Sequence, residues 1–238
     1  MANRLSERLI SWASILDPQT EQQARVTAAL PIIDGHVALM PDAHLGKGAT
    51  IGSVIPTSGA VIPSAVGVDI GCGMAARRLG LDVTELGPEH LSAWVRSMHR
   101  AVPAGLGRWH AAPSEEARGW FEEHPAPPAL EKVEQAMSQL GTLGSGNHFV
   151  ELACDEDGLV WILLHSGSRG GGNKLATMHT KIARRVCAYP LEDPELAWLE
   201  QGTPEFDAYL RDLRWSQGYA LRNRELMLRA THEALDEV

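Results

Sequence analysis

Asp69-Ile70-Gly71-Cys72-Gly73 sets a carboxylate and a thiol three positions apart in a glycine-rich segment. Glycine frees so short a stretch to fold until both side chains address one centre. A hard oxygen beside a thiolate, completed by imidazoles, suits a borderline divalent ion such as Mn, Fe, Co or Zn. An inert buried cysteine and a turn-capping aspartate would leave the same trace, so the pair alone decides nothing. Two further segments bear on it. Gly141 to Glu151 (GTLGSGNHFVE) is a Gly/Ser loop running into a short strand, and His165 to Asn173 (HSGSRGGGN) is a second such loop leaving one. Each puts a histidine where backbone-exposing loop meets strand, and free NH groups together with the planar fork of Arg169 suit phosphate oxygens. Neither loop is a P-loop or a dinucleotide fingerprint.

Asn147, Phe149 and Glu151 alternate with His148, Val150 and Leu152, which in an ideal strand places the two triplets on opposite faces. For His148 to bind metal while its neighbours bind a base, the backbone must bend there or the site must straddle the strand. Phe149 could stack on a base and Glu151 could accept from an exocyclic amine; a core Phe and a surface Glu fit the same pattern. Asp42 and His44 could form an acid/base or phosphate-handling pair, or simply a turn Asp beside a surface His. His90, His99, His110, His124, His179 and His232 stand in helical or acidic contexts and read as surface residues. Arg211, Arg214, Arg222, Arg224 and Arg229 could line an RNA groove, but the acids interspersed among them favour a solvated helix face.

Something must position these residues. Val160 to Leu164 is an uninterrupted apolar run that reads as a buried strand delivering His165 at its tip. His36 to Met40 and Ile51 to Ile55 read as short strands between Gly and Pro turns. Leu5, Leu9, Trp12, Ala13 and Leu16, at three-to-four spacing, predict an amphipathic helix ending near Asp17-Pro18. Further helices are expected over Glu21 to Leu30, Pro88 to Val102, Ala129 to Leu140 and Glu205 to Val238, while the acidic, Pro-rich stretch from Glu115 to Glu134 predicts an irregular surface connection. Val61 to Val68 is an apolar run too short and too Pro/Gly-bounded to assign. Without repeats, this order predicts a single α+β domain over residues 1–238, with a mixed, largely antiparallel β core and peripheral helices.

Composition narrows the function classes. The 238 residues carry 21 Lys plus Arg against 30 Asp plus Glu, a formal charge of -9, which argues against wholesale capture of nucleic acid but leaves room for a local basic or metal-lined groove. Three cysteines, 72, 154 and 187, without a CxxC pair support neither a disulfide framework nor a four-cysteine zinc site. No apolar run approaches the ~20 residues of a membrane span, and the polar start of the chain is unlike a signal peptide. A cytoplasmic protein with no membrane partner is the expectation.

Met40-Pro41-Asp42-Ala43-His44-Leu45-Gly46-Lys47-Gly48-Ala49-Thr50, Val66 to Met74, Gly144 to Glu151 and His165 to Gly170 together resemble the RtcB RNA-splicing ligases. The likeness runs from about Ile33 to the Asn223-Arg224-Glu225 segment. It implies a GTP- and Mn-dependent enzyme of RNA repair or tRNA splicing, joining RNA 3′-phosphate or 2′,3′-cyclic phosphate ends to 5′-hydroxyl ends through a GMP-histidine intermediate. By the same resemblance Asp69, Cys72, His148 and His165 match ligands of two Mn ions, with Cys72 suited to bridging. Asn147, His148, Phe149, Val150 and Glu151 match the segment that contacts the nucleotide, and Asp42 and Arg169 fall in motifs near the phosphates. A further metal-binding His, the guanylylated His and a late Lys of the family find no match before Val238. The resemblance therefore implies an N-terminal portion or shortened relative, completed by a missing C-terminal part or a complementing chain. A degenerate metal- or nucleotide-binding relative and a two-metal phosphoesterase are the alternatives.

Overall fold

The computed structural model describes residues 2–236 and divides into two compact units, one running up to Val68 and including Ala176–Arg211, the other comprising Asp69–Leu175 and the chain from Asp212 onward. The secondary structure is α+β with mostly antiparallel pairing, as the element order predicts.

The first unit opens differently from the periodicity. Instead of a helix, Asn3–Ser6 (β1) and Leu9–Ser11 (β2) form an antiparallel pair, and β2 runs parallel to Val37–His44 (β3), which in turn pairs antiparallel with Ile51–Val54 (β4). The reason is tertiary. Leu9 and Ser11 are buried with Ile10 between them less so, a period-two pattern, and the Arg8 guanidinium donates to the carbonyls of Leu30 and Ile33 at 3.3 and 2.6 Å, fixing the turn between β1 and β2 against a distant segment. Asp17-Pro18 begins a helix rather than ending one: the Asp17 carboxylate accepts from the NH groups of Gln19 and Thr20, and Pro18 occupies the first turn of Pro18–Ala28 (α1), where its missing NH costs nothing. Ala60–Val61 (β5) and the single turn Pro63–Val66 (α2) resolve the unassigned apolar run. The core here gathers Leu9, Val37, Leu39, Ile62, Leu196 and Trp198.

The second unit is built on three antiparallel strands in the order Gly73–Asp82 (β6), Leu159–Ser166 (β8) and Phe149–Cys154 (β7). β8 is the expected buried strand, with Val160, Ile162, Leu164 and Ser166 buried in alternation. The first six residues of β6, Gly-Met-Ala-Ala-Arg-Arg, carry little strand signal of their own. Their ladder from Gly73↔Ser166 to Arg78↔Trp161 holds them in place instead. Pro88–Ala101 (α3) covers this sheet through Trp94 and Met98, joined by Val102 just past its end and by Met227 and Ala234. Burying side chains the size of Ile162 or Leu164 is worth ~2 kcal/mol each before packing terms.

The stretch from Glu115 to Glu134 is only half irregular. Ser114 caps Glu115–Glu123 (α4) by accepting from the Ala117 NH, and Ala117 and Phe121 are buried with Leu130, Tyr219 and Leu226. The Pro-rich part then leads to Val133–Gln139 (α5). Arg169–Val186 (α6) starts within the expected loop, its first turn made of Gly170, Gly171 and Gly172, and buries Leu175, Ala176 and Ala183. His179, expected at the surface, is buried on α6 with its ring 5.2 Å from that of Tyr209. Leu199–Glu200 (β9) pairs with β5, and Pro204–Asp236 (α7) is the long final helix. Among the described residues no helix is long and apolar enough to cross a membrane.

Candidate metal centre

Four sequence-predicted ligands meet in the second unit. Asp69 and Cys72 come from the turn leading into β6, closed by the Cys72 NH donating to the Asp69 carbonyl at 3.1 Å. Gly71 in that turn has φ 71°, and a Cβ there would lie 2.8 Å from the Ala220 methyl of α7, so only glycine fits on both counts. His165 arrives at the end of β8, opposite Met74 of β6 and Phe149 of β7. His148 stands one residue before β7, after Gly146 at φ 86°, and this bend resolves the strand-face conflict: Asn147 and His148 belong to the loop, and regular alternation starts only at Phe149.

The ligand atoms of Asp69, Cys72 and His148 all lie within 4.8 Å of one another. His148 Nε2 is 2.8 Å from Asp69 Oδ2 and 3.7 Å from Cys72 Sγ, and His165 Nε2 is 3.1 Å from the same sulfur. His148 Nδ1 sits 2.8 Å from the Leu143 carbonyl, which can only accept, so Nδ1 carries a proton and donates. In the neutral ring Nε2 then directs a lone pair at a carboxylate oxygen, an arrangement that requires a cation, either a proton or a metal. A backbone carbonyl orienting the far nitrogen of a histidine is the usual support of a metal-bound imidazole. The donor set of carboxylate, thiol and two imidazoles therefore fits a divalent ion of the borderline class.

Electrostatics agree with that demand. Burial and the neighbouring Asp69 charge push the Cys72 thiol up to about 12, so the sulfur stays protonated unless a cation takes the proton's place. Burial opposes the Asp69 charge, but hydrogen bonds from His148 and Cys72 outweigh it and hold the carboxyl below its ordinary value. The bond to Asp69 raises His148 against the opposing effect of burial.

A cleft of about 550 Å³ adjoins the cluster, lined by Asp69, Asn147, His148, Arg169 and Lys174 among others. Asn147 Nδ2 lies 3.5 Å from His165 Nε2. Arg169 holds φ 58°, a left-handed backbone that costs a non-glycine residue about 1 kcal/mol or more, while its guanidinium donates to Thr142 Oγ1 at 3.3 Å. Burial lowers its pKa without removing its charge. Phe149 stacks on the His165 ring at 5.9 Å, Val150 packs against the core, and Glu151 is exposed on β7. Asp42 belongs to the first unit, exposed on β3, with its carbonyl 2.7 Å from His44 Nδ1.

Two residues that hold the site were not read as such from the sequence. Arg224, expected on a solvated face, donates to the carbonyls of Gly71 at 2.5 Å and Ser166 at 3.0 Å, tying the Asp69–Cys72 turn to the end of β8. Asn223 is fully buried. Its Oδ1 accepts from the NH groups of Gly141 and Thr142, and its Nδ2 donates to the Thr142 carbonyl and Ser166 Oγ. The available signal was an Asn within the stripe Ala220, Asn223, Met227, Ala234, where a polar residue is affordable only if fully bonded. Gly167 completes the packing, since any Cβ there would collide with the Asp69 carboxylate.

The chain is similar to known proteins. The profile of the tRNA-splicing ligase RtcB family matches residues 23–126 and 111–238. The RNA-splicing ligase RtcB of Escherichia coli strain K12 is 42% identical over 94% of this chain, which covers 59% of that relative. The tRNA-splicing ligase RtcB of Nanoarchaeum equitans is 29% identical over 98% of this chain and 58% of its own length, and the RNA-splicing ligase RtcB of Mycobacterium bovis 32% identical over 86% and 59%. The chain thus spans about three-fifths of the curated relatives it matches. With the Val66 to Met74, Gly144 to Glu151 and His165 to Gly170 motifs meeting at one centre and the family profile running over nearly the whole chain, this protein belongs to the RtcB family of tRNA-splicing ligases.

Proposed function

We propose that this chain forms the metal-binding and phosphate-facing part of an RNA ligase site, one that joins RNA 3′-phosphate or 2′,3′-cyclic phosphate ends to 5′-hydroxyl ends with GTP and Mn in a cytoplasmic setting. The convergence of Asp69, Cys72, His148 and His165 carries the reading. Two Mn ions at this place would polarise a phosphoryl oxygen and orient the attacking and leaving oxygens. The chain's own residues do the rest. Asp69 and Cys72 supply the anionic donors, and His148, its far nitrogen held by the Leu143 carbonyl, presents the other as a donor. Arg169, fixed through Thr142, offers a fork to the equatorial oxygens of a phosphate entering the cleft.

Asn147 and the strand start at Phe149 to Glu151 would receive the guanosine nucleotide, and Asp42 would take part in phosphate handling. RtcB relatives named as RNA-splicing ligases, and the identity of 42% to one of them, support the RNA-ligase reading. The guanylylated histidine of the reading matches no residue of these 238. Incubation of the chain with radiolabelled GTP and Mn is therefore expected to give metal binding without a labelled band on a denaturing gel. A stable labelled band would show that the nucleophile lies within these residues, and absence of Mn binding at micromolar protein would remove the basis of the proposal.

A further inference from the structure

The loop from Gly105 to Trp109 lines the same cleft as Asp69, His148 and Arg169, and nothing in the metal chemistry uses it. It displays Leu106 and Trp109 to solvent, at 91% and 41% exposure. Yet its backbone is tied down on both sides. Gly105 NH donates to the Gly144 carbonyl at 2.7 Å, Leu143 NH to the Pro103 carbonyl at 3.0 Å, and His110 NH to the Ser138 carbonyl at 3.1 Å. Ala104 and Gly144 form a parallel bridge. The anchoring segment, residues 138–144, is the one that leads directly into Asn147 and His148, so the loop and the metal ligands are held in a common frame. A rigid backbone holding a large flat apolar ring in water, beside Arg108, Arg169 and Lys174, has a use if the ligand is itself flat, apolar and anionic. Asp69, the one acid lining this cleft among the described residues, is already engaged with His148.

We propose that Trp109 is a stacking platform for the nucleobase at the phosphate-bearing end of single-stranded RNA, with Arg108 and Lys174 taking the flanking phosphates. Every base has a π-face, so the platform would fix the end of the strand without selecting its sequence. The inference rests on the proposed RNA-end chemistry and adds to it a positioning residue outside the metal shell.

The test uses the Mn-loaded 238-residue chain, a short single-stranded RNA bearing a 3′-phosphate, and the same RNA with an abasic ribose at its last position, with affinities read by anisotropy. Trp109→Ala is expected to weaken binding of the normal RNA by about tenfold, Trp109→Phe to restore most of it, and Trp12→Ala, a similarly exposed Trp of the first unit, to change it less than twofold. On the abasic RNA, wild type and Trp109→Ala should bind alike, which a merely structural defect would not produce. Affinity for GTP should be the same in wild type and Trp109→Ala; a loss for GTP without a loss for RNA would overturn the assignment to RNA. Wild-type affinity retained by Trp109→Ala, an equal loss on abasic RNA, or no RNA binding by the wild type would each overturn it too. A parallel Mn titration separates the two readings: intact Mn binding with an indifferent Trp109 overturns the platform alone, whereas failed Mn binding removes the metal centre beneath it.

Discussion

Two glycine-rich motifs with similar composition meet different fates. Met40 to Thr50 carries Asp42, His44 and Lys47, and Val66 to Met74 carries Asp69 and Cys72. In the first unit Asp42 and His44 stand exposed on β3, and the recorded bond between them runs from the His44 ring to the Asp42 backbone carbonyl. In the second unit Asp69 and Cys72 meet His148 and His165, 76 to 93 positions away from Cys72 along the chain, and the turn is fastened by Arg224 from α7. The contrast teaches that a motif supplies donors but a centre needs partners from distant elements, each with its far side held. Asp69 has its pKa moved by such partners, and burial combines with the Asp69 charge to move that of Cys72.

The largest break in this comparison should come from Cys72→Ala, which is expected to weaken Mn binding by about 100-fold or more, whereas Asp42→Ala should leave Mn affinity within about twofold. Isothermal titration of both variants checks this, and equal losses would erase the distinction between the motifs. Asn223→Ala comes next. It orphans the buried NH groups of Gly141 and Thr142 and is expected to cost about 3 kcal/mol in denaturant unfolding, with the Mn site loosened as a consequence. Gly71→Ala forces a methyl onto Ala220 at a positive φ, for about 1–3 kcal/mol; an unchanged melting temperature together with unchanged Mn affinity would show that the turn is looser than its contacts imply.

The smallest effect lies in the first unit, where Glu195 bonds Arg184 and also Lys47, at 3.3 Å for the latter. Burial opposes its charge, but the two cations win and its pKa falls below 4.5. A depressed carboxylate contributes stability above its unfolded value near 4.5 and loses it as pH drops through the lower folded value. Glu195→Gln should therefore cost less than about 1 kcal/mol at pH 7, the difference shrinking toward zero as the pH falls below 4.5 and through the depressed folded value. Urea melts at the two pH values decide the sign.

Much of the second unit was legible in advance. Val160 to Leu164 announced a buried strand by its unbroken apolar run, and His165 stands at its end. The helices from Pro88 and into α7 followed from periodicity. The opening of the chain departs from its periodicity because Leu5, Leu9, Trp12 and Leu16 repeat at helical spacing while β2 is fixed by ladder bonds to β3, nearly thirty residues on. Gly170 to Gly172 looked like loop and the start of β6 like nothing in particular, because neither has intrinsic preference for what it becomes; a sheet partner in one case and the apolar stripe of α6 in the other override propensity.

The sequence by itself determined the chemical types available, Asp, Cys and His in four glycine-rich motifs whose order resembles one family, because side-chain donors and backbone freedom are local properties. Only the tertiary structure decided that Asp69, Cys72, His148 and His165 share a centre, that Asn223 is one of its fasteners and Arg224 another rather than part of a solvated face, and that Trp109 looks onto the same cleft. Those facts depend on contacts between residues tens of positions apart, where hydrogen bonds to backbone and the exclusion of water, not local preference, set the geometry.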